Sequence, residues 1–179
     1  EWALTVDIST LKEKSAWDSC ANLVTTKEDA EFAAEALRDS DWIAYDCETV
    51  GKLYNDDFEV ILVAVCSKGS EDVWLWDYSA LQDKEVAAPL LELLEDPKVK
   101  VVTQNGKYDD QAIYCAFGTE VTASAVDTRL ARKLLEPESV ASLGAMQELV
   151  GMGGGKDEMK TALAAVIRKC RKKKTTLEE

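Results

Sequence analysis

The chain has 179 residues, of which 46% are hydrophobic, and its 34 acidic side chains outnumber its 21 basic ones. This length and apolar content are typical of one globular domain with a full hydrophobic core. The absence of histidine excludes Ser-His and Cys-His nucleophilic pairs, HExxH zinc sites and a histidine general base. Chemistry in this protein must therefore rely on carboxylates, tyrosine, lysine or a metal ion.

The cysteines and the hydropathy pattern limit where the protein works. The five cysteines lie far apart without C-x-x-C spacing, at Cys20, Cys47, Cys66, Cys115 and Cys170. This predicts free thiols rather than a zinc or disulfide framework, and we expect a cytoplasmic location, or the host cytoplasm if a virus encodes the protein. No apolar run reaches the ~20 residues needed to cross a bilayer, and no signal-peptide pattern opens the chain, so we expect no membrane partner.

Hydrophobic periodicity and turn signals predict alternating strands and helices. A capping box at Thr26–Asp29 opens the first helix, and Asn105 is the predicted N-cap of the helix at 107–117. The predicted strands cover residues 23–25, 42–48, 60–67, 73–78, 99–103 and 121–126. The predicted helices cover residues 27–38, 85–95, 107–117, 128–135, 140–150 and 156–173.

This order predicts an α/β fold. The short links between the strands at 42–48, 60–67 and 73–78 predict an antiparallel three-strand meander, and α/β units follow it. The result is a mixed sheet with helices on its faces. We expect an N-terminal extension at 1–21, a domain at 22–152, and a glycine hinge followed by a basic helix at 153–179.

Charge is unevenly distributed between these segments. Residues 1–150 carry 13 basic and 30 acidic side chains, whereas residues 151–179 carry eight basic and four acidic ones. The acidic body should repel a polyanion at long range. A bound metal or a separate basic surface, such as 168–174, would have to attract one; a solvated helix end is the alternative interpretation of that basic run.

The strand-like run SDWIAYDCETV contains the best candidates for chemistry, Asp46 and Glu48. Positions i and i+2 of a strand point to the same face, so both carboxylates would project side by side. Burying two carboxylates together is costly unless a cation joins them, and a divalent metal is the usual partner. Other acid-x-acid pairs in this acidic chain fall in polar or turn-like contexts, where a solvated face explains them.

A second acidic position lies where a strand leads into a helix, in VVTQNGKYDDQAI. Asp109 shares a helix face with Ile113 and should point partly inward, whereas Asp110 should point outward as a solvated charge. The alternative interpretation of Asp109 is a first-turn carboxylate that complements the helix dipole.

Together these motifs resemble the DEDD superfamily of 3′–5′ exonucleases, and most closely the proofreading domain of family A DNA polymerases. The Asp-x-Glu-Thr motif is matched by Asp46-Cys47-Glu48-Thr49, and the Asn-x-x-x-Asp motif by Asn105-Gly106-Lys107-Tyr108-Asp109. The stretch VDTRLARKLLEPESVASLGAMQELVG resembles the segment that follows the fifth strand. The resemblance covers residues 22–152 and implies a ribonuclease H-like fold.

The resemblance also implies a mechanism. Asp46, Glu48 and Asp109 would be the catalytic residues and would hold two Mg²⁺ or Mn²⁺ ions, with Asp46 bridging both. The substrate would be the 3′ end of single-stranded DNA, released as nucleoside 5′-monophosphates, and a polymerase domain would follow this chain. Contacts to the substrate would come from Thr49, Leu53, Asn105 and Tyr108, although Leu53 could equally be a core residue.

One element of the family pattern has no counterpart. The third motif, Tyr-x-x-x-Asp or His-x-x-x-x-Asp, is not found, and Asp127 is interpreted as a helix cap rather than a ligand. We expect that the chain stops before this motif or lacks it. Two alternatives therefore stay open: a weakly active or inactive exonuclease-fold module that binds DNA for a polymerase, and an RNA exonuclease like ribonuclease D.

Overall fold

The computed structural model describes residues 20–151, except for the side chains of residues 124 and 125. The predicted extension, the predicted helix at 156–173 and the basic run at 168–174 lie largely or wholly outside these residues. The chain divides after Asp127 into two compact units.

The first unit is built on a six-stranded mixed sheet. The strands are β1 (Ala21–Leu23), β2 (Ile43–Val50), β3 (Glu59–Ser67), β4 (Val73–Asp77), β5 (Val101–Thr103) and β6 (Ser124–Asp127). They lie in the order β1-β4-β3-β2-β5-β6. The β2–β3 and β3–β4 pairs are antiparallel, whereas β1–β4, β2–β5 and β5–β6 are parallel. The predicted meander followed by α/β units is confirmed.

The described residues of this unit form the helices α1 (Lys27–Arg38), α2 (Tyr78–Gln82), α3 (Lys84–Glu95) and α4 (Lys107–Phe117). The predicted capping box is present, because the Thr26 side chain accepts from the Asp29 backbone N–H and the Asp29 side chain accepts from the Thr26 backbone N–H. The helix α2 was not predicted. Asp77 ends β4 and its carboxylate accepts a hydrogen bond from Ala80 N at 3.0 Å, so a helix begins where the sequence predicts one more strand residue.

The hydrophobic core lies on one face of the meander. Tyr45 and Cys47 of β2 stand beside Val65 and Val63 of β3 in the same register, and all four side chains are buried. Trp76 of β4 continues this row and is fully buried.

The helices α1 and α3 cover this face. The Trp76 indole N–H donates to the backbone oxygen of Val86 in α3 at 3.2 Å, which satisfies its polar group within the core. Phe32 of α1 packs edge to face on Trp74, with ring centroids 5.8 Å apart.

The second unit contains the described helices α5 (Thr128–Leu135) and α6 (Leu143–Leu149). The bounds of α5 agree with the prediction, whereas α6 begins three residues later than predicted. The cause is Ser142, which has an extended backbone and whose hydroxyl accepts from Ala145 N at 3.3 Å, so it caps the helix.

The turn between β5 and α4 differs from the prediction. Asn105 is not the N-cap of α4: it has a left-handed backbone with φ of 67°, and Gly106 occupies the cap position. Asparagine is one of the few residues other than glycine that tolerate this conformation. The chain turns so tightly here that a Cβ atom on Gly106 would lie 2.1 Å from Thr103 Oγ1.

Within the described part of the chain, no helix has both the length and the apolar character needed to cross a membrane.

Replacing Gly106 with alanine should destabilise the protein, because the added methyl group would collide with the Thr103 side chain. We expect a loss of about 1–3 kcal/mol in the free energy of unfolding, as for overpacking elsewhere, measured by thermal or chemical denaturation. Gly144→Ala is the matched control, since nothing lies within 4 Å of its added Cβ and alanine favours a helix interior. Equal stability of the two variants would contradict the close packing at Gly106.

Candidate active site

The strand β2 presents its residues to two different environments. Tyr45 and Cys47 are buried, whereas Asp46 and Glu48 are exposed on the opposite face. The two carboxylates therefore share a face, as the i, i+2 spacing predicts. They are not buried, however, so the desolvation argument from the sequence does not apply to them.

The buried carboxylate is Asp109, in the first turn of α4. Its side chain is 5% exposed, and its Oδ1 accepts a hydrogen bond from the backbone N–H of Cys47 at 3.0 Å. Ile113, one turn later, is fully buried. The predicted inward orientation of Asp109 is confirmed.

The contact between Asp109 and Cys47 follows from the unequal lengths of two neighbouring strands. The short strand β5 pairs with β2 only at Ile43 and Ala44, and on this edge Ile43 N donates to Lys100 O at 2.9 Å. Every second N–H of β2 points to the same edge, so Cys47 N–H lies past the end of β5. Asp109 supplies the acceptor there, and a backbone donor that the sheet leaves unpaired is satisfied.

Burial, together with the nearby charge of Asp46, raises the pKa of Asp109 to about 6, although the hydrogen bond from Cys47 N–H opposes the shift. The influence of Asp46 on this pKa indicates that the two carboxylates are close enough to interact electrostatically. Asp109 can therefore change its charge near neutral pH, and a cation placed between the two groups would favour its ionised form.

The neighbouring residue, Asp110, is also engaged with β2. The Tyr45 hydroxyl donates a hydrogen bond to Asp110 Oδ1, and Asp110 is half-buried. Burial raises the pKa of Asp110, as does the charge of Asp127, although the hydrogen bond from Tyr45 opposes this. The sequence-based interpretation of Asp110 as a solvated charge is wrong, because the long Tyr45 side chain reaches it.

Asp127, the last residue of β6, holds the start of α4. Its carboxylate accepts from Asn105 N and Gly106 N, both at 3.1 Å. It therefore caps α4, from a neighbouring strand, in place of the side-chain cap that Gly106 cannot supply. A capping role was predicted for Asp127, but for the helix that follows it in the chain.

The residues predicted to contact substrate divide into two groups. Thr49 and Tyr108 meet, with 2.7 Å between Thr49 Oγ1 and the Tyr108 hydroxyl. Leu53 is half-buried and packs against the hydrophobic core, which favours its alternative interpretation as a packing residue. Asn105 is exposed in the turn before α4. Their contacts with substrate stay predictions.

The donor set suits a divalent metal in its chemistry. Asp46, Glu48 and Asp109 offer only carboxylate oxygens, which Mg²⁺ and Mn²⁺ prefer, and a cation would offset the repulsion between Asp46 and Asp109. Within residues 20–151, however, no three acidic or cysteine side chains lie close enough together to form a metal-binding group. The role of the three carboxylates as metal ligands stays a prediction.

Sequence reasoning missed the contributions of Tyr45 and Asp110. One signal was available: Tyr45 precedes Asp46 and must point to the opposite, buried face, where its hydroxyl needs a polar partner. The position of that partner could not be read from the sequence, because it depends on how α4 is rotated against β2.

Three comparisons with known proteins bear on this site. The family model described as 3′–5′ exonuclease matches residues 21–172, which is most of the chain. The chain belongs to the 3′–5′ exonuclease family. No curated protein matches the chain in sequence.

Solved structures of exonucleases share the fold. Ribonuclease D from Trypanosoma brucei in complex with RNA U12 superposes with a TM-score of 0.66 at 20% identity, over 83% of this chain and 55% of that one. Escherichia coli ribonuclease D superposes with a TM-score of 0.63 at 23% identity, over 78% of this chain and 36% of that one. The Nibbler EXO domain from Aedes aegypti superposes with a TM-score of 0.55 at 18% identity, over 68% of this chain and 58% of that one. The chain thus spans about three fifths or less of these relatives, and the likeness confirms the predicted ribonuclease H-like fold.

The raised pKa of Asp109 predicts how stability depends on pH in the absence of metal. Its folded-state pKa lies above the unfolded value of about 3.9, so its contribution to stability is fully present below pH ~4 and is lost as the pH rises through about 6. Asp109→Asn keeps an oxygen acceptor for Cys47 N–H and removes the charge. In chelator, this variant should unfold at a higher temperature than the wild type at pH 8, by up to ~3 kcal/mol in stability.

At pH 4 and below, where the Asp109 carboxyl is largely protonated in the folded and the unfolded chain alike, the wild type and Asp109→Asn should unfold at nearly the same temperature. The control is Asp56→Asn, which removes an exposed loop carboxylate. Its unfolding temperature should change with pH by the same amount as that of the wild type. If the difference in unfolding temperature between Asp109→Asn and the wild type is the same at pH 4 and at pH 8, Asp109 carries no unfavourable buried charge.

Proposed function

We propose that the chain hydrolyses the 3′-terminal phosphodiester of single-stranded DNA and releases nucleoside 5′-monophosphates, as a proofreading-type exonuclease. The observation that carries the proposal is the placement of Asp109 against β2, where its pKa depends on the charge of Asp46. Two carboxylates from separate sequence motifs thus interact in a domain that belongs to an exonuclease family. The Asp-x-Glu-Thr and Asn-x-x-x-Asp motifs support the proofreading type.

In this proposal the chain supplies carboxylates on two elements. Asp46 and Glu48 lie on the exposed face of β2, open to an approaching strand end, and Asp109 lies at the edge of β2. These three residues would hold Mg²⁺ or Mn²⁺, which when bound supplies charge neutralisation at the phosphate and lowers the pKa of water. Because the carboxylates repel phosphate on their own, the chain cannot accept the substrate at this place without a cation.

Thr49 and Tyr108 are proposed to contact the terminal nucleotide. Their hydroxyl groups form one hydrogen-bonded pair next to Glu48, and Tyr108 is 38% exposed. A hydroxyl pair can donate to and accept from a sugar or a phosphate, and an exposed aromatic ring can stack on a base. Asn105 and Leu53 complete the proposed contact set, with Leu53 the weaker member because it packs on the core.

RNA is the second candidate substrate, and the fold likeness favours it. Solved structures similar to this chain include ribonucleases D, and one of them is a complex with RNA. The two substrates differ at the 2′-hydroxyl group, which a protein can use to distinguish them. A third candidate, a weakly active or inactive module that binds DNA for a polymerase, is supported by the absence of an assignable third motif.

The domain organisation and partners follow from the same proposal. Residues 22–152 would form the exonuclease domain, 1–21 an extension, and 153–179 a hinge and basic helix. A polymerase domain would follow in the longer protein, and the location would be cytoplasmic. No described residue tests these assignments.

Asp46→Ala should abolish exonuclease activity, because the proposal places Asp46 at both metal positions. The wild type should release 5′-mononucleotides from an internally labelled single strand in Mn²⁺, and more slowly in Mg²⁺, which demands more ideal coordination. Asp56→Ala is the matched control, since it removes an exposed carboxylate of the loop that follows β2. Matched DNA and RNA strands, assayed in parallel, identify the preferred substrate.

The results separate the candidates. Faster release from DNA supports the proofreading type, and faster release from RNA supports the ribonuclease D type. Binding of a 3′ end without any release supports the inactive module. Activity that survives Asp46→Ala at the wild-type rate would show that the active site lies elsewhere.

Oligonucleotide affinity should also depend on metal, because the body of the protein is acidic. We expect weak binding in chelator and tighter binding in Mn²⁺, measured by fluorescence anisotropy at fixed ionic strength. Deletion of residues 168–174 should weaken binding in both conditions if this basic run contacts the strand. If the affinity is equal in chelator and in Mn²⁺ and does not fall after the deletion, neither the metal nor residues 168–174 bring the strand to the protein.

A further inference from the structure

The buried tyrosine that precedes the Asp-x-Glu motif makes a specific contact with the helix that carries Asp109. Tyr45 is 4% exposed, and its hydroxyl donates to Asp110 Oδ1. A phenol hydroxyl inside a core requires a polar partner, and a half-buried carboxylate requires a donor. Each group thus supplies what the other lacks.

Two consecutive residues of α4 therefore attach to β2 at two points. Asp109 accepts from the backbone N–H of Cys47, and Asp110 accepts from the side chain of Tyr45. Adjacent helix residues point about 100° apart, a consequence of 3.6 residues per turn. Contacts in two such directions restrict the rotation of the first helical turn about its axis more tightly than either contact would alone.

The charges around this turn make such a constraint necessary. Burial raises the pKa of both Asp109 and Asp110, and a neighbouring carboxylate adds to each shift, Asp46 for Asp109 and Asp127 for Asp110. Like charges at short range repel, so the carboxylates tend to separate when no cation lies between them. The contact through Tyr45 opposes that movement with a neutral donor.

We propose that Tyr45 and Asp110 are a positioning pair, which holds Asp109 at the edge of β2 and fixes its distance from Asp46. Neither residue needs to touch the substrate. The consequence for catalysis rests on the proposed function, whereas the consequence for the position of Asp109 does not.

The structural test is hydrogen exchange at the Cys47 amide, followed by NMR in the metal-free protein. Tyr45→Phe removes the donor and keeps the ring in the core. If the pair holds Asp109 in place, Cys47 N–H should exchange at least about tenfold faster in this variant, because it loses its acceptor more often. Tyr114→Phe is the matched control: the same substitution at an exposed position of the same helix should leave the exchange rate unchanged.

Two further variants separate the hydrogen bond from the charge of Asp110. Asp110→Asn keeps an oxygen acceptor for the Tyr45 hydroxyl, so Cys47 N–H should exchange at a rate near that of the wild type. Asp110→Ala removes the acceptor and should exchange like Tyr45→Phe. In the double variant Tyr45→Phe/Asp110→Ala, Cys47 N–H should exchange no faster than in either single variant, as expected for two residues that act as a pair.

The catalytic test uses the same variants on the preferred substrate in Mn²⁺. Tyr45→Phe should lower kcat about tenfold with little change in KM, since small displacements of a catalytic group lower the rate while the substrate contacts stay intact. Asp110→Asn, which keeps an acceptor for the Tyr45 hydroxyl, should retain most of the wild-type kcat. A wild type that has no activity would overturn the proposed function but not the positioning pair, which the exchange data test alone.

Unchanged exchange at Cys47 in both Tyr45→Phe and Asp110→Ala would overturn the positioning pair. So would a faster exchange that appears equally in core amides far from α4, measured in the same spectra, because that result would indicate general destabilisation.

Discussion

The hydrogen bond from the Cys47 backbone to the buried carboxylate of Asp109 is the interaction on which the rest of the site depends. It exists because β5 is three residues long and leaves the far part of β2 without a neighbour on that edge. Placing a carboxylate there satisfies the free N–H but removes a charge from water. The start of α4 reduces this cost, because a helix N-terminus favours negative charge. The same bond brings the Asn-x-x-x-Asp motif to the strand that carries Asp-x-Glu.

Polar contacts between acidic residues and neutral donors hold the site together. Asp109, Asp110 and Asp127 all accept hydrogen bonds from backbone N–H groups or from a tyrosine hydroxyl. This arrangement concentrates negative charge where β2, β6 and the start of α4 meet. It is what a site that recruits divalent ions would require, and it explains how an acidic domain could handle a polyanion. The metal would provide the attraction that the protein surface does not.

The sequence was sufficient for the main elements of the fold. The strands of the meander, the capping box at Thr26 and the bounds of α4 and α5 follow from hydrophobic periodicity and local capping signals, which depend on near neighbours in the chain. The surroundings of Asp46 and Glu48 were predicted less well. Asp46 and Glu48 are exposed rather than buried, because the coverage of a sheet face depends on which helices pack on it.

The errors at the start of α4 share one physical cause. Asn105 does not cap α4 because Asp127, distant in sequence, performs that role, and Asp110 is not a free surface charge because the Tyr45 side chain reaches it. Each of these contacts joins residues that are more than 20 positions apart. Periodicity identifies which face of a helix is apolar, but it does not determine the rotation of that helix against a strand to within the reach of one side chain.

Anomalous diffraction from crystals grown with Mn²⁺ would test the central claim, that the carboxylates of β2 and α4 form one metal-binding active site, most directly. The account predicts a strong anomalous peak whose ligands include both Asp46 and Asp109, with the Cys47 N–H bond to Asp109 retained. Mn²⁺ bound elsewhere in well-ordered crystals, with no peak between Asp46 and Asp109 at millimolar Mn²⁺, would contradict it.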